Sequence, residues 1–160
     1  MRAGITGHRQ FRNTIISTWV KSEIRKLIKL YAVSHGYTCL APGADELFAE
    51  VLNEEKIKYT AIIPCNNYEK TLDNDSLKTF QNSKANASEI IELNYNEPSE
   101  KAFDEAGKLL VNYADIIIAV WNGENAKGLG GTGDIVDYSI RKNKIVIHVN
   151  NITLAITKLK

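Results

Sequence analysis

Short unbroken apolar runs alternate along this chain with longer stretches in which apolar residues return at helical spacing. The runs at 2–6 (RAGIT), 37–41 (YTCLA), 59–64 (YTAIIP), 89–93 (EIIEL), 114–121 (ADIIIAVW) and 144–149 (KIVIHV) predict strands. Between the first two, Ile16, Val20, Ile24, Leu27 and Ile28 predict a helix over 14–34, with Asn13 as its N-cap. Phe48, Val51 and Leu52 predict a second helix over 44–55. Ala102, Ala106 and Leu110 predict a third, capped by Ser99, and another follows over 134–142. The segment 66–87 is polar and rich in Asn and Lys, which predicts a long excursion with one helical patch near Leu77 and Phe80.

Strand and helix alternate throughout, which predicts an α/β fold: a doubly wound, mostly parallel sheet with helices on both faces, in a single domain over 1–160. The run around Ile116–Val120 has no polar interruption, so that strand is expected to be buried on both faces, inside a parallel sheet.

Composition narrows the function. The 20 basic and 19 acidic side chains leave a net charge of +1, which speaks against a broad nucleic-acid surface. No apolar stretch approaches the roughly 20 residues that cross a bilayer, and the first residues do not read as a signal peptide, so no membrane association is expected. Cys39 and Cys65 sit in or just after apolar runs without a CxxC, and the three histidines are scattered. They predict free thiols in a reduced, cytoplasmic protein, with no metal site and no resident cofactor.

In open parallel sheets ligands bind beyond the carboxyl ends of the strands. Those ends carry TGHRQ (6–10), PGADE (42–46), PCNNYE (64–69) and WNGENAKGLGGTGD (121–134). In the last, Gly128, Gly130, Gly131 and Gly133 can bring bare backbone N–H groups up to an anion, Thr132 adds a hydroxyl, and a helix follows whose positive end points back at the loop. No GK[ST] follows, so this is not a P-loop; the cluster comes too late in the chain for a dinucleotide fingerprint. Asp134 either caps that helix or meets ribose hydroxyls. Gly7 permits close backbone approach, Arg9 offers a planar fork for a phosphate, and His8 reads as a binding rather than a catalytic group. Gly43 sets a turn, and Asp45 either caps the second helix or contacts the ligand. Trp121 and Asn122 follow the interior strand, the indole either stacking on a base or closing the core.

Taken together, GITGHR, LAPGADELFAE and ADIIIAVWNGENAKGLGGTGDIVDY followed by KIVIHV resemble the SLOG superfamily. These Rossmann-like domains include the Lonely Guy cytokinin-activating enzymes and the nucleotide-sensing domains of bacterial conflict systems. The resemblance spans nearly the whole chain and is weakest at 66–98. It implies a nucleotide or nucleotide-derived signalling molecule, held with Gly130, Gly131 and Thr132 near a phosphate and Arg9 assisting. It also implies a homo-oligomer, since related domains commonly dimerise.

The enzymatic branch of that superfamily reads PGGxGTxxE, the final Glu acting in N-glycoside cleavage of nucleoside monophosphates. Aligned on Gly131-Thr132, the Glu position falls on Ile135, and the Pro before the glycine pair is missing. An isoleucine cannot stabilise an oxocarbenium-like centre or activate water. The expectation is therefore a sensor or sequestering protein that holds its ligand. The alternative is a nucleotide N-glycosidase, a phosphoribohydrolase or a deoxyribosyltransferase-like enzyme. In that case Asp134, Asp137 or Asp45 is the working carboxylate. A structural module with a vestigial loop is the third option.

Overall fold

Seven strands come together in one sheet, which a computed structural model describes together with its helices for residues 1–126 and 128–160. They are β1 (Arg2–Gly7), β2 (His35–Thr38), β3 (Tyr59–Ile63), β4 (Glu89–Glu92), β5 (Ile116–Trp121), β6 (Ile145–Asn150) and β7 (Ala155–Lys158). Their order across the sheet is β4-β3-β2-β1-β5-β6-β7. The first six run parallel, and β7 is antiparallel to β6. Lys127, in the run that carries the glycine cluster, lies outside the described residues.

The helices α1 (Thr14–Leu30), α2 (Ala44–Glu54), α3 (Asn74–Asn86), α4 (Glu100–Tyr113) and α5 (Thr132–Arg141) fill the connections. The period-two geometry of a strand sorts its side chains between the two helix layers. Ile5 and Ile118 pack with Val20 and Ile24 of α1 and with Phe48 and Leu52 of α2. Ile117 and Ile62 turn the other way, against Leu110 of α4 and Ile135 of α5. All six residues of β5 are buried, as its unbroken apolar run requires. Each fully buried side chain of this size contributes roughly 1.5–3 kcal/mol, so the sandwich rests on these two layers.

The capping residues behave as their chemistry dictates. Asn13 Oδ1 accepts from Ile16 N at 3.0 Å, and Ser99 Oγ accepts from Ala102 N at 3.1 Å. Several boundaries differ from the sequence reading. The first helix ends at Leu30 rather than 34, because Ala32 turns into the left-handed region at φ 46°. The second strand ends at Thr38, since Leu40 at φ 55° already belongs to the turn into α2. The last helix starts at Thr132 rather than 134, capped by Gly131.

The polar excursion holds a real helix, α3, capped by Asp73, whose Oδ1 accepts from Ser76 N at 2.8 Å. Only Phe80 and Ser83 of α3 are buried, which is why its periodicity is faint. β7 has no counterpart in the sequence reading: all four of its residues are exposed, so its pairing with β6 is a matter of backbone alone.

One feature of this topology positions the site. The chain builds β1 to β4 outward in one direction, then crosses back to lay β5 on the other side of β1. Loops leaving β1 and β5 diverge there, and a crevice opens between them.

Candidate functional site

A cavity of about 480 Å³ occupies that crevice at the carboxyl ends of β1 and β5. The two sides arise from opposite backbone requirements. On the β1 side the chain must pass from strand to loop directly beneath α2. Gly7 makes that possible, because a Cβ there would lie 2.6 Å from the Val120 carbonyl oxygen and 2.5 Å from Ala44 Cβ. Gly43, the N-cap of α2, has φ +83° and abuts His8 O, where a Cβ would come within 2.4 Å. It does not line the cavity but holds up the loop that does.

His8 and Arg9 both line the cavity. His8 N donates to Val120 O at 2.9 Å, tying the loop to β5. Burial lowers the His8 pKa, so the imidazole is neutral at neutral pH and can accept or donate a hydrogen bond. The Arg9 guanidinium lies 5.5 Å over the Phe103 ring of α4, and its charge reaches Asp45, Cys39 and Tyr68. The sequence reading aimed Arg9 at a phosphate by the glycine loop. The fold sets it toward the β2 end of the same cavity.

On the β5 side, Gly130, Gly131, Thr132 and Gly133 form the wall, at the first turn of α5. Gly130 N donates to Asp134 Oδ2 and Gly131 N to Gly128 O, so the donors this wall leaves open are the first-turn N–H groups of Thr132 and Gly133, with a positive end dipole behind them. Gly130 takes φ +79° and sits against the α4 backbone, where a Cβ would be 2.7 Å from Asp104 N. Gly131 and Gly133 fold against Ala126 of their own loop. The glycine cluster thus serves close loop packing as well as an open anion surface.

Trp121 lines the cavity but is 7% exposed. Its ring centroid is 4.0 Å from that of His148, and Nε1 donates to Glu124 O at 2.9 Å. Its geometry is that of a side chain closing the core. Asn122 Oδ1 accepts from Glu124 N at 3.1 Å and shapes the loop.

The aspartates separate. Asp45 lines the cavity, 5% exposed, with Oδ2 accepting from Thr38 Oγ1 at 2.9 Å and Cys39 N at 2.8 Å. Burial pushes its pKa up to about 6, against the pull of those hydrogen bonds and of Arg9. Asp134 and Asp137 are not in this cavity. They line a second depression behind the loop, with Trp121 and His148, and Asp137 is exposed. Asp134 Oδ2 accepts from Gly130 N at 3.2 Å, which is loop capping. Ile135, where the alignment places the catalytic Glu, does line the main cavity, as an apolar surface.

The cavity therefore gathers Gly7, His8, Arg9, Asp45, Trp121, Asn122 and Gly130 through Gly133, and leaves out Gly43, Asp134 and Asp137. Sequence reasoning missed Tyr68, Phe103, Cys39 and Glu124 as lining residues. Tyr68 lies in the post-strand stretch 64–69 that topology marks as useful, so that rule was the available signal. Phe103 reads as one more core position of an amphipathic helix, and nothing in the sequence separates it from its neighbours. Among the described residues no group of His, Cys, Asp and Glu side chains is arranged to hold a metal ion, and no helix is long and apolar enough to cross a membrane.

No family model matches the chain, and no curated protein does either. Solved structures do resemble it. DNA processing protein A (DprA) from Streptococcus pneumoniae superposes with a TM-score of 0.69 at 14% identity, over 92% of this chain and 49% of that one. The chain thus spans about half the length of that protein. DNA processing protein A from Helicobacter pylori, described for its single-stranded DNA binding mode, gives 0.67 at 15% identity, over 92% of this chain and 64% of that one. The molybdenum cofactor binding protein from Rippkaea orientalis gives 0.58 at 18% identity, over 93% and 76%. These structures and this chain share one Rossmann-like α/β fold.

Proposed function

We propose that the protein binds a nucleotide or nucleotide-derived signalling molecule in the β1/β5 crevice and holds it uncleaved, as a sensor or a sequestering protein. The observation that carries this reading is the pairing of a first-turn donor wall, the Thr132 and Gly133 N–H groups beside Gly130 and Gly131, with the His8–Arg9 loop across one cavity. A phosphate at a helix N-terminus is a common and favourable arrangement. Ile135 on the cavity wall supports holding over cleavage, and the displacement of Asp134 and Asp137 to the other side of the loop does so too. Similar folds described as binding single-stranded DNA or a molybdenum cofactor are consistent with a ligand-holding role.

Self-association belongs to the same proposal. Ile152, Leu154, Ile156 and Leu159, on and around β7, are exposed and offer apolar surface beside an open sheet edge. The free thiols Cys39 and Cys65 suit a reducing, cytoplasmic setting.

One observation favours the enzymatic alternative: Asp45 is a buried carboxylate on the cavity wall with a raised pKa, a feature that clusters at catalytic sites. Native mass spectrometry after incubation with nucleoside monophosphates, NAD, ADP-ribose and cyclic nucleotides separates the readings. An intact ligand mass that persists for hours is expected, and the same spectrum counts the protomers. A free base with a retained or released ribose phosphate would make the protein a hydrolase, and the absence of any adduct would remove the nucleotide reading.

A further inference from the structure

Phosphate recognition leaves the β2 end of the cavity unused. Asp45 stands there, 5% exposed, on the first turn of α2. Thr38 Oγ1 and Cys39 N both donate to its Oδ2, and the Ala41 N–H also stabilises the carboxylate. A carboxylate offers about four acceptor sites, so these donors leave room for a group arriving from the cavity.

The surroundings say what that group is attached to. Ala41, Pro64, Tyr68 and Phe103 line this end, and Tyr68 meets Phe103 edge-on at 6.2 Å between ring centroids. Apolar and aromatic walls of this kind take a flat ring, whereas a ribose diol needs several polar partners. The span agrees. The donor wall follows β5 and Asp45 adjoins β2, two strand positions away across β1. At about 4.8 Å per strand spacing that is roughly 10 Å, the length of one nucleoside monophosphate from phosphate to base edge.

An ionised carboxylate can only accept. A ring nitrogen substituent that donates completes its coordination, while a ring carbonyl in the same place sets two acceptors against each other. Resting on the nucleotide reading above, we propose that Asp45 recognises an exocyclic amine on the base, so that the protein takes amino-bearing nucleotides and rejects their oxo counterparts. Arg9, stacked over Phe103 and close to Asp45, supplies the compensating charge at the same end.

Isothermal titration with three pairs that differ by this one exchange tests it: AMP against IMP, CMP against UMP, and GMP against XMP. In at least one pair the amino member should bind about ten- to a hundredfold more tightly, as expected for a hydrogen bond to a charged group. Asp45→Asn keeps an oxygen for Thr38 and Cys39 and adds an amide that can donate to a carbonyl. It should abolish or invert the ratio while the melting curve stays cooperative. Equal affinities within every pair, or a ratio that survives in Asp45→Asn, overturns the role of Asp45 and leaves phosphate binding standing. If no member of any pair binds, the nucleotide reading fails and this inference fails with it. Nucleosides binding as tightly as their monophosphates would overturn the donor wall alone.

Discussion

Asp45 and Asp134 each sit in the first turn of a helix that starts at the carboxyl end of the sheet, and each follows a capping glycine closely. Their surroundings differ because their connections do. α2 returns from β2 through a short turn, so Asp45 is folded back onto the strand end it has just left and bonds Thr38 and Cys39. α5 follows β5 through a long loop, so Asp134 finds only its own loop, at Gly130 N, and stays half-buried. One carboxylate is sealed into the cavity wall and the other caps a turn. The comparison shows that connection length, more than residue type or helix position, sorted two equivalent candidates into different roles.

The largest expected effect contrasts the glycines that precede them. Gly43→Val must hold a branched side chain at φ +83° with its Cβ 2.4 Å from His8 O, and should cost on the order of 4 kcal/mol or leave the chain unfolded. Gly131 has φ −67°, and a Cβ there meets its own loop, at 2.8 Å from Ala126 Cβ and 3.4 Å from Gly128 O. Gly131→Val should therefore lose about 1–2 kcal/mol of stability but all measurable nucleotide binding. Urea unfolding of both variants decides it, and equal destabilisation would erase the distinction between the two helix starts.

Asp45→Asn comes next. The folded-state pKa of about 6 lies above the ordinary value of 3.8, so the folded protein holds the extra proton between these values. Stability contributed by the protonated group is present at low pH, falls as pH rises through that window, and is gone above it. The asparagine variant does not titrate. It should match the wild type near pH 4 and exceed it at pH 7.5 by something on the order of 2–3 kcal/mol. A gain in stability with a loss in ligand selectivity is what a site residue gives. A destabilised variant at pH 7.5 would mark Asp45 as structural.

Arg9→Ala removes the positive charge beside Asp45 at the base end and should weaken a nucleoside and its monophosphate about equally, by about 1–2 kcal/mol. A loss confined to the monophosphate, by titration calorimetry, would mean that Arg9 reaches the phosphate instead. Smallest is Asp134→Asn, which keeps an acceptor for Gly130 N. Its unfolding free energy and its nucleotide affinity should each shift by less than about 1 kcal/mol. A large loss of affinity there would return Asp134 to the site.

The alternating fold, the interior place of β5, the caps Asn13 and Ser99, and the four post-strand stretches are local properties, and they read directly from residue order. The apolar run of β5 could be nowhere but inside a parallel sheet. Helix α3 and strand β7 are fainter because they bury almost no side chains, and periodicity registers only what burial imposes. Tyr68 and Phe103 carry no mark that separates a cavity wall from a core face.

What residue order determined by itself is therefore the set of elements, their alternation and which loops converge, because hydrophobic spacing and capping act within a few residues. The tertiary structure alone decided which side of each loop faces the crevice. It put Asp45 and Ile135 on the cavity wall, turned Asp134 and Asp137 away, and moved Arg9 toward β2. The direction a side chain faces depends on the rotation of its helix and the path of its loop, and those are set by packing between elements far apart in the chain.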